Sequence, residues 1–354
     1  MHLLILTQKV DQDDDVLGFF HRWLTEFAKN CERITVVCLE KGTYDLPENI
    51  TVLSLGKEEG VSRSKYLGRF YTYVWNERKR YDAVFVHMNY EYVILGGLLW
   101  RLLNKKIGLW YAHGHVSVGL RLAQILANMI FTSTKSGFRL PSKKVYVVGQ
   151  GIDTEHFSPA GTQRHDAVFR IISIGRIAPV KDYETLLGAA RILKERGVVP
   201  TVTIIGGADT QEQKDYLASL NTFLLKNDLK NVTFAGSIPN KEIVSYLRGS
   251  DLFVNTSHTG SLDKAMLEAM SCGIPVLTCN EAMKEVLGEY TDELMFAKKD
   301  ANALASQIRG QIELGSDDQM ALGERLRSIV IARHNIANLI KKILTWYERD
   351  GSGC

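Results

Sequence analysis

Residues 251–279 read DLFVNTSHTGSLDKAMLEAMSCGIPVLTC, and the change of period within them decides the fold. Leu252 to Val254 is a short apolar run that reads as a buried strand. Asn255-Thr256-Ser257 ends it, and a loop with Gly260, Ser261 and Asp263 follows. From about Asp263 the spacing lengthens, and Met266, Leu267, Ala269 and Met270 form a helical stripe. Gly273 and Pro275 stop that helix, and Ile274–Thr278 supplies the next strand. A helix start attracts anions, because unpaired N–H groups and the helix dipole point at them. One to two turns further on stands Glu268, whose carboxylate can accept hydrogen bonds from paired hydroxyls such as a ribose diol. On the residues alone, Glu268 reads equally as part of a solvated face or as a structural ion-pair partner.

The run LEAMSCGIPVL within this stretch resembles the signature of the retaining GT-B glycosyltransferases grouped as family 4, or glycosyl transferases group 1, commonly written EGFGLxxLEAMAxGxPV. The resemblance implies an α/β chain of GT-B fold, with two Rossmann-like α/β/α domains facing across a cleft. It also implies that Glu268 binds the donor ribose and that Gly260, Ser261 and Leu262 form the loop against the donor. One departure stands out. The family carries a second glutamate eight residues earlier, and here that position is Gly260. Asp263 or neutral loop groups are the available replacements, which leaves altered donor choice, altered geometry or a non-catalytic domain.

Outward from this stretch, the strand Arg170–Ile174 runs into GRIAPVKD, residues 175–182. Gly175 permits a tight turn, and Arg176 and Lys181 flank the next helix start, where both can reach one anion. By resemblance to the family's GRxxxxKD, both bind the diphosphate, whose charge grows as the glycosidic bond breaks; Asp182 reads as a cap or ion-pair partner. Gly206-Gly207 follows the strand Thr201–Ile205, where backbone can approach a nucleotide. NVTFAG, residues 231–236, resembles the family's VxFxG strand.

In the first half, Trp110-Tyr111-Ala112-His113-Gly114-His115 ends a central strand. The resemblance assigns His113 to a place beside the transferred sugar, with His115 the second choice; His87, at the end of the preceding strand, reads by position as lining the acceptor side. The loop from Thr7 to Gly18 stands where the family has a glycine-rich turn near the donor phosphate, and Gly18 is the nearest match. Asp11, Asp13, Asp14 and Asp15 crowd the same loop. Neighbouring carboxylates on one loop converge poorly on a metal, so capping or acceptor recognition is the expectation, and no metal is expected.

The 354 residues exceed the usual single core, so two domains are expected. The expected organisation is an acceptor-side domain over 1–158, a linker near 158–168, a nucleotide-sugar domain over 169–335 and a final helix over 336–350 that returns to the first domain. Short apolar strands alternate with helices in both halves, the pattern of parallel sheets covered on both faces. The last strand expected is Leu294–Phe296. Hydrophobic residues make up 45% and charged residues 23%, and the net charge of +3 gives no case for nucleic acid. The five cysteines lack metal spacing and read as reduced and buried, with Cys354 in an exposed tail. There is no signal-peptide core and no apolar run long enough to span a bilayer, so a cytoplasmic protein is expected. The segments 95–110 and 116–130 are largely apolar, with Arg101, Lys105, Lys106 and Arg121 among them. They read either as buried structure or as a surface touching the inner face of the cell membrane.

These readings point to a hexosyltransferase that uses a UDP-, GDP- or other NDP-sugar as donor, needs no cofactor and acts on a glycan or lipid-linked acceptor. The alternatives are a non-catalytic nucleotide-sugar-binding protein and another sugar-nucleotide enzyme such as an epimerase.

Overall fold

The computed structural model describes residues 1–160 and 168–349. Contacts divide the chain into two compact units. The first comprises Met1–Gly151, Pro239–Lys241 and the chain from His334 on; the second comprises Ile152–Ile238 and Glu242–Arg333. The division falls at Gly151/Ile152, because Ile152 and Phe157 are buried in the second unit's core. Residues 152–158 therefore go with the second unit, although the sequence places them in the first. Most of the linker expected near 158–168 lies outside the described residues, as does Cys354.

The first unit runs β1 (His2–Val10), α1 (Phe19–Asn30), β2 (Arg33–Lys41), β3 (Ile50–Ser54), α2 (Arg63–Asn76), β4 (Ala83–His87), α3 (Glu91–Leu102), β5 (Lys106–Trp110), α4 (Val118–Leu126), β6 (Met129–Thr132) and β7 (Val145–Val147). All pairings are parallel, in the order β3-β2-β1-β4-β5-β6-β7. Because strand side chains alternate, the sheet feeds two cores. Leu3 and Ile5 join one with Phe20 and Trp23 of α1; Leu4 and Leu6 join the other with residues of α2, α3 and α4.

The second unit runs β8 (Arg170–Ile174), α5 (Tyr183–Glu195), β9 (Thr201–Ile205), α6 (Gln211–Lys226), β10 (Val232–Gly236), α7 (Ile243–Arg248), β11 (Leu252–Asn255), α8 (Lys264–Ser271) and β12 (Val276–Thr278). Short helices α9 (Lys284–Leu287) and α10 (Thr291–Leu294) precede α11 (Ala301–Glu313) and α12 (Ser316–His334). The sheet is parallel, in the order β10-β9-β8-β11-β12. The strand expected at Leu294–Phe296 is not formed: Leu294 ends α10, and only an isolated bridge joins Met295 to Thr278. The final helix α13 (Ile336–Arg349) buries Leu339, Ile340 and Ile343 in the core of the first unit.

In each sheet the strand order reverses once, between β1 and β4 and between β8 and β11. Open parallel sheets bind ligands outside the carboxyl ends of the strands at such a switch point. Cys31, Cys38, Cys272 and Cys279 are buried and unbridged. Among the described residues, no helix is long and apolar enough to cross a membrane.

Candidate active site

At the β8/β11 switch point the second unit joins two loops that lie far apart in sequence. The turn after β8, Pro179–Lys181, is clasped to the loop after β11. The His258 amide donates to Val180 O (3.0 Å), and the Thr256 hydroxyl donates to Lys181 O (2.6 Å). Lys181 Nζ lies 2.9 Å from Asp263 Oδ2, with side chains only 17% and 9% exposed. Asp263 is shared further. Its Oδ2 accepts from Asn255 Nδ2 at the end of β11 (2.7 Å), and its Oδ1 accepts from the Ala265 amide in the first turn of α8 (3.1 Å). The helix starts where the change of spacing from about Asp263 predicts it, and the structure shows Asp263 as its cap. Burial pushes the Asp263 carboxyl up, but Lys181, Asn255 and the Ala265 amide outweigh it and hold the group below the usual carboxylate range.

Two glycines set the backbone of this site. Gly206 lies so close to the turn after β8 that a Cβ on it would stand 2.0 Å from Gly175 O. A Cβ on Gly175 would stand 2.8 Å from Lys181 Cε, so its bare Cα leaves the lysine chain its course. The Gly175 amide donates to Ile205 O and the Ile177 amide to Gly207 O, both at 2.9 Å. Tyr183, which the sequence reading did not single out, braces the turn from α5 by donating its hydroxyl to Gly175 O (2.7 Å).

The structure thus brings Gly175, Lys181, Gly206 and Gly207 together with the start of α8. Arg176 is exposed on the same turn. Gly260 has a positive φ of 64°, Leu262 is buried, and Ser261 O accepts from Asn280 Nδ2 (2.8 Å). Glu268 lies one turn into α8, 3% exposed, and its carboxylate is ion-paired with Lys264. The ion-pair alternative is therefore realised, and a ribose would have to share Glu268 with Lys264. Asp182 does not cap α5 through its side chain; it accepts from the Thr185 hydroxyl (2.7 Å) and lies 3.0 Å from His258 Nε2.

The remaining residues belong to the first unit. His113 and His115 are exposed and line a pocket of about 470 Å³ with Gln8, Tyr90, Glu91 and Tyr111. His113 Nδ1 accepts from the His115 amide (3.1 Å). His87 borders this pocket but is 2% exposed, stacked on Phe20 with ring centroids 4.1 Å apart. Burial lowers its pKa to about 3, so it is a neutral ring at physiological pH. Gly18 begins α1, and a Cβ there would stand 2.4 Å from Asp14 O, so loop packing accounts for it without a ligand. The acidic loop is organised around a cation of its own. Lys9 Nζ lies 2.8 Å from Asp14, 3.2 Å from Asp11 and 3.3 Å from Glu40, while Asp14 Oδ1 accepts from the Val16 and Leu17 amides. Among the described residues, no cluster of three or more His, Cys, Asp or Glu is placed to hold a metal.

Residues 158–328 match the profile of the family Glycosyl transferases group 1. The chain is 28% identical to the putative colanic acid biosynthesis glycosyltransferase WcaL of Escherichia coli K12, over 54% of this chain and 47% of that protein. It is 26% identical to the UDP-Gal:alpha-D-GlcNAc-diphosphoundecaprenol alpha-1,3-galactosyltransferase of Escherichia coli, over 58% of this chain and 54% of the relative. The chain thus spans about half the length of the curated relatives it matches. Among solved structures, Anabaena Alr3699/HepE in complex with UDP and glucose superposes with a TM-score of 0.75 at 18% identity, covering 99% of both chains. The fold is that of the GT-B glycosyltransferases. The stretch that matches this family makes up most of the second unit.

Proposed function

We propose that the protein is a retaining glycosyltransferase that moves a hexosyl group from a nucleoside-diphosphate sugar to a hydroxyl of a glycan or lipid-linked acceptor. The observation that carries this reading is the clasp at the β8/β11 switch point, which holds a lysine beside a helix start and two close-packed glycine turns. Fixed positive charge there favours the transition state, in which the leaving diphosphate gains charge. Arg176 and Lys181 take the diphosphate, the Gly206-Gly207 backbone approaches the nucleotide, and Glu268 accepts from the ribose. His113, in the first unit's pocket, takes the acceptor side beside the transferred sugar. The relatives support the substrate classes: one is named for a UDP-galactose donor and a lipid-linked diphosphate acceptor, and HepE is bound to UDP and glucose. Purified protein offered a panel of UDP- and GDP-sugars with acceptor should turn over at least one donor, and R176A and K181A should each cut turnover strongly with the fold intact. Unchanged turnover in both variants would refute the assignment.

A second reading, a nucleotide-sugar-binding protein without transfer, is favoured by Gly260 at the family's glutamate position and by the engagement of Lys181 with Asp263. Calorimetry that shows UDP or GDP binding, with no product from any donor, would select it.

A further inference from the structure

The helix layer α2–α4 of the first unit is apolar on both sides. Its inner side packs Phe70, Val74, Trp100 and Leu120 into a core. Its outer side repeats large hydrophobic residues at helical spacing and leaves them in solvent. On α2 these are Leu67, Tyr71 and Trp75; on α3, Leu95, Leu98 and Leu102; on α4, Val118, Leu122 and Ile125. Leu98 is 68% exposed, Leu102 83% and Val118 85%. Of nineteen such exposed residues among the described ones, these three helices hold nine, so the exposure is concentrated and not scattered. The face is continuous. The Tyr71 hydroxyl donates to Leu95 O (3.1 Å), and Arg101 of α3 donates to Leu126 O and Ile125 O at the end of α4.

Charge identifies the partner. Residues 92–152 contain eight Lys and Arg and no Asp or Glu, in a chain whose net charge is +3. The rest of the chain is therefore net acidic, and of these eight Arg101, Arg121 and Lys144 stand on or beside this face. Arg121 is exposed on α4 between Val118 and Ile125, and Lys144 joins Arg101 at the end of that helix by donating to Ala127 O (2.8 Å). At the end of α2, the Arg78 guanidinium lies 4.1 Å over the Trp75 ring. Leucine at the centre with arginine, tryptophan and tyrosine around it is the composition of a surface that sits at the headgroup level of a bilayer. A two-fold dimer through the same face would oppose like charges, which disfavours a second copy as the occupant.

We propose that the outer face of α2–α4 docks this protein on the surface of a bilayer containing anionic phospholipids. Leu98, Leu102 and Ile125 enter the headgroup boundary, and Arg121 with its basic neighbours meets the lipid phosphates. Tyr90 and Glu91, at the start of α3, line the first unit's pocket, and Tyr90 accepts from the hydroxyl of Ser117, the residue before Val118 (2.9 Å). Docking therefore brings the pocket to the lipid surface. It rests on this face alone and holds whether or not the protein transfers a sugar.

The test is flotation of the full chain with vesicles of phosphatidylglycerol and phosphatidylethanolamine, against vesicles of phosphatidylcholine, at low and high salt. The expected result is binding about tenfold stronger to the anionic vesicles, weakened by salt. L98E/I125E abolishes it and R121E weakens it several-fold, with thermal melts and UDP binding like the parent's. Equal binding to both vesicles, no binding to either, or undiminished binding by L98E/I125E overturns the proposal. So does a parent dimer in sedimentation that L98E/I125E dissolves without any vesicle binding, which would assign the face to a second copy.

Discussion

At the carboxyl end of β8 the second unit presents backbone and paired charge; at the carboxyl end of β4 the first unit presents rings. The turn after β8 is held by a glycine packed on a glycine, by Tyr183 and by the Lys181–Asp263 pair. At β4, His87 is stacked among Phe19, Phe20 and Trp23, and beyond it lies a pocket edged by Tyr90, Tyr111, His113 and His115. One switch point is fixed by backbone packing and a buried ion pair. The other sets aromatic and histidine rings around open space.

The largest effect that would break this contrast is at Lys181. On the proposed role, Lys181→Ala lowers donor turnover by about 10²–10³-fold, the scale of removing one transition-state charge contact. It also strands the buried Asp263 carboxylate, so the melting temperature falls. K181A/D263N should recover the melting temperature and not the turnover, which separates the lysine's catalytic role from its structural one. Recovery of both would make the pair purely structural.

Next comes Gly206→Ala, whose methyl would collide with Gly175 O; urea unfolding should report a loss of about 1–3 kcal/mol. An unchanged midpoint would show that the two turns separate freely.

At the aromatic switch point the prediction concerns pH. His87 titrates near its ordinary value in the unfolded chain and at about 3 in the folded one. Its stabilising contribution is therefore complete above the unfolded pKa and is lost progressively as pH falls from about 6.5 toward 3. His87→Leu should flatten the acid limb of stability against pH over that window, read from urea midpoints. An identical acid slope would mean that the ring is not held neutral.

The smallest effect is expected at Tyr183→Phe, which deletes one hydrogen bond to Gly175 O. It should cost about 1 kcal/mol of stability and raise KM for the donor more than it lowers kcat.

Much of the fold was legible. Arg170–Ile174 and Thr201–Ile205 are strands to the residue, because each is a short, largely apolar run that ends at a glycine. Leu294–Phe296 failed for the reason such runs often do: three apolar residues fit the end of a helix as well as a strand, and Leu294 closes α10. In the site, the glycines and the lysine could be read because they serve the backbone and charge of one local turn. Asp263 as the partner of Lys181 could not, since the two are 82 residues apart and only the tertiary clasp pairs them. Glu268 was legible as an acid on a helix with an ion pair among its readings, but neither its burial nor Lys264 as its partner was. Nor does periodicity separate the solvent side of α3 from its core side, because the helix is apolar around most of its circumference.

The most direct test of the central claim is calorimetric titration of UDP, GDP, uridine and guanosine into the parent protein, R176A and K181A. The account predicts that each variant binds the preferred nucleoside diphosphate at least about tenfold more weakly, roughly 1.4 kcal/mol or more, while binding of the matching nucleoside is unchanged. Equal diphosphate affinity in all three proteins would contradict it.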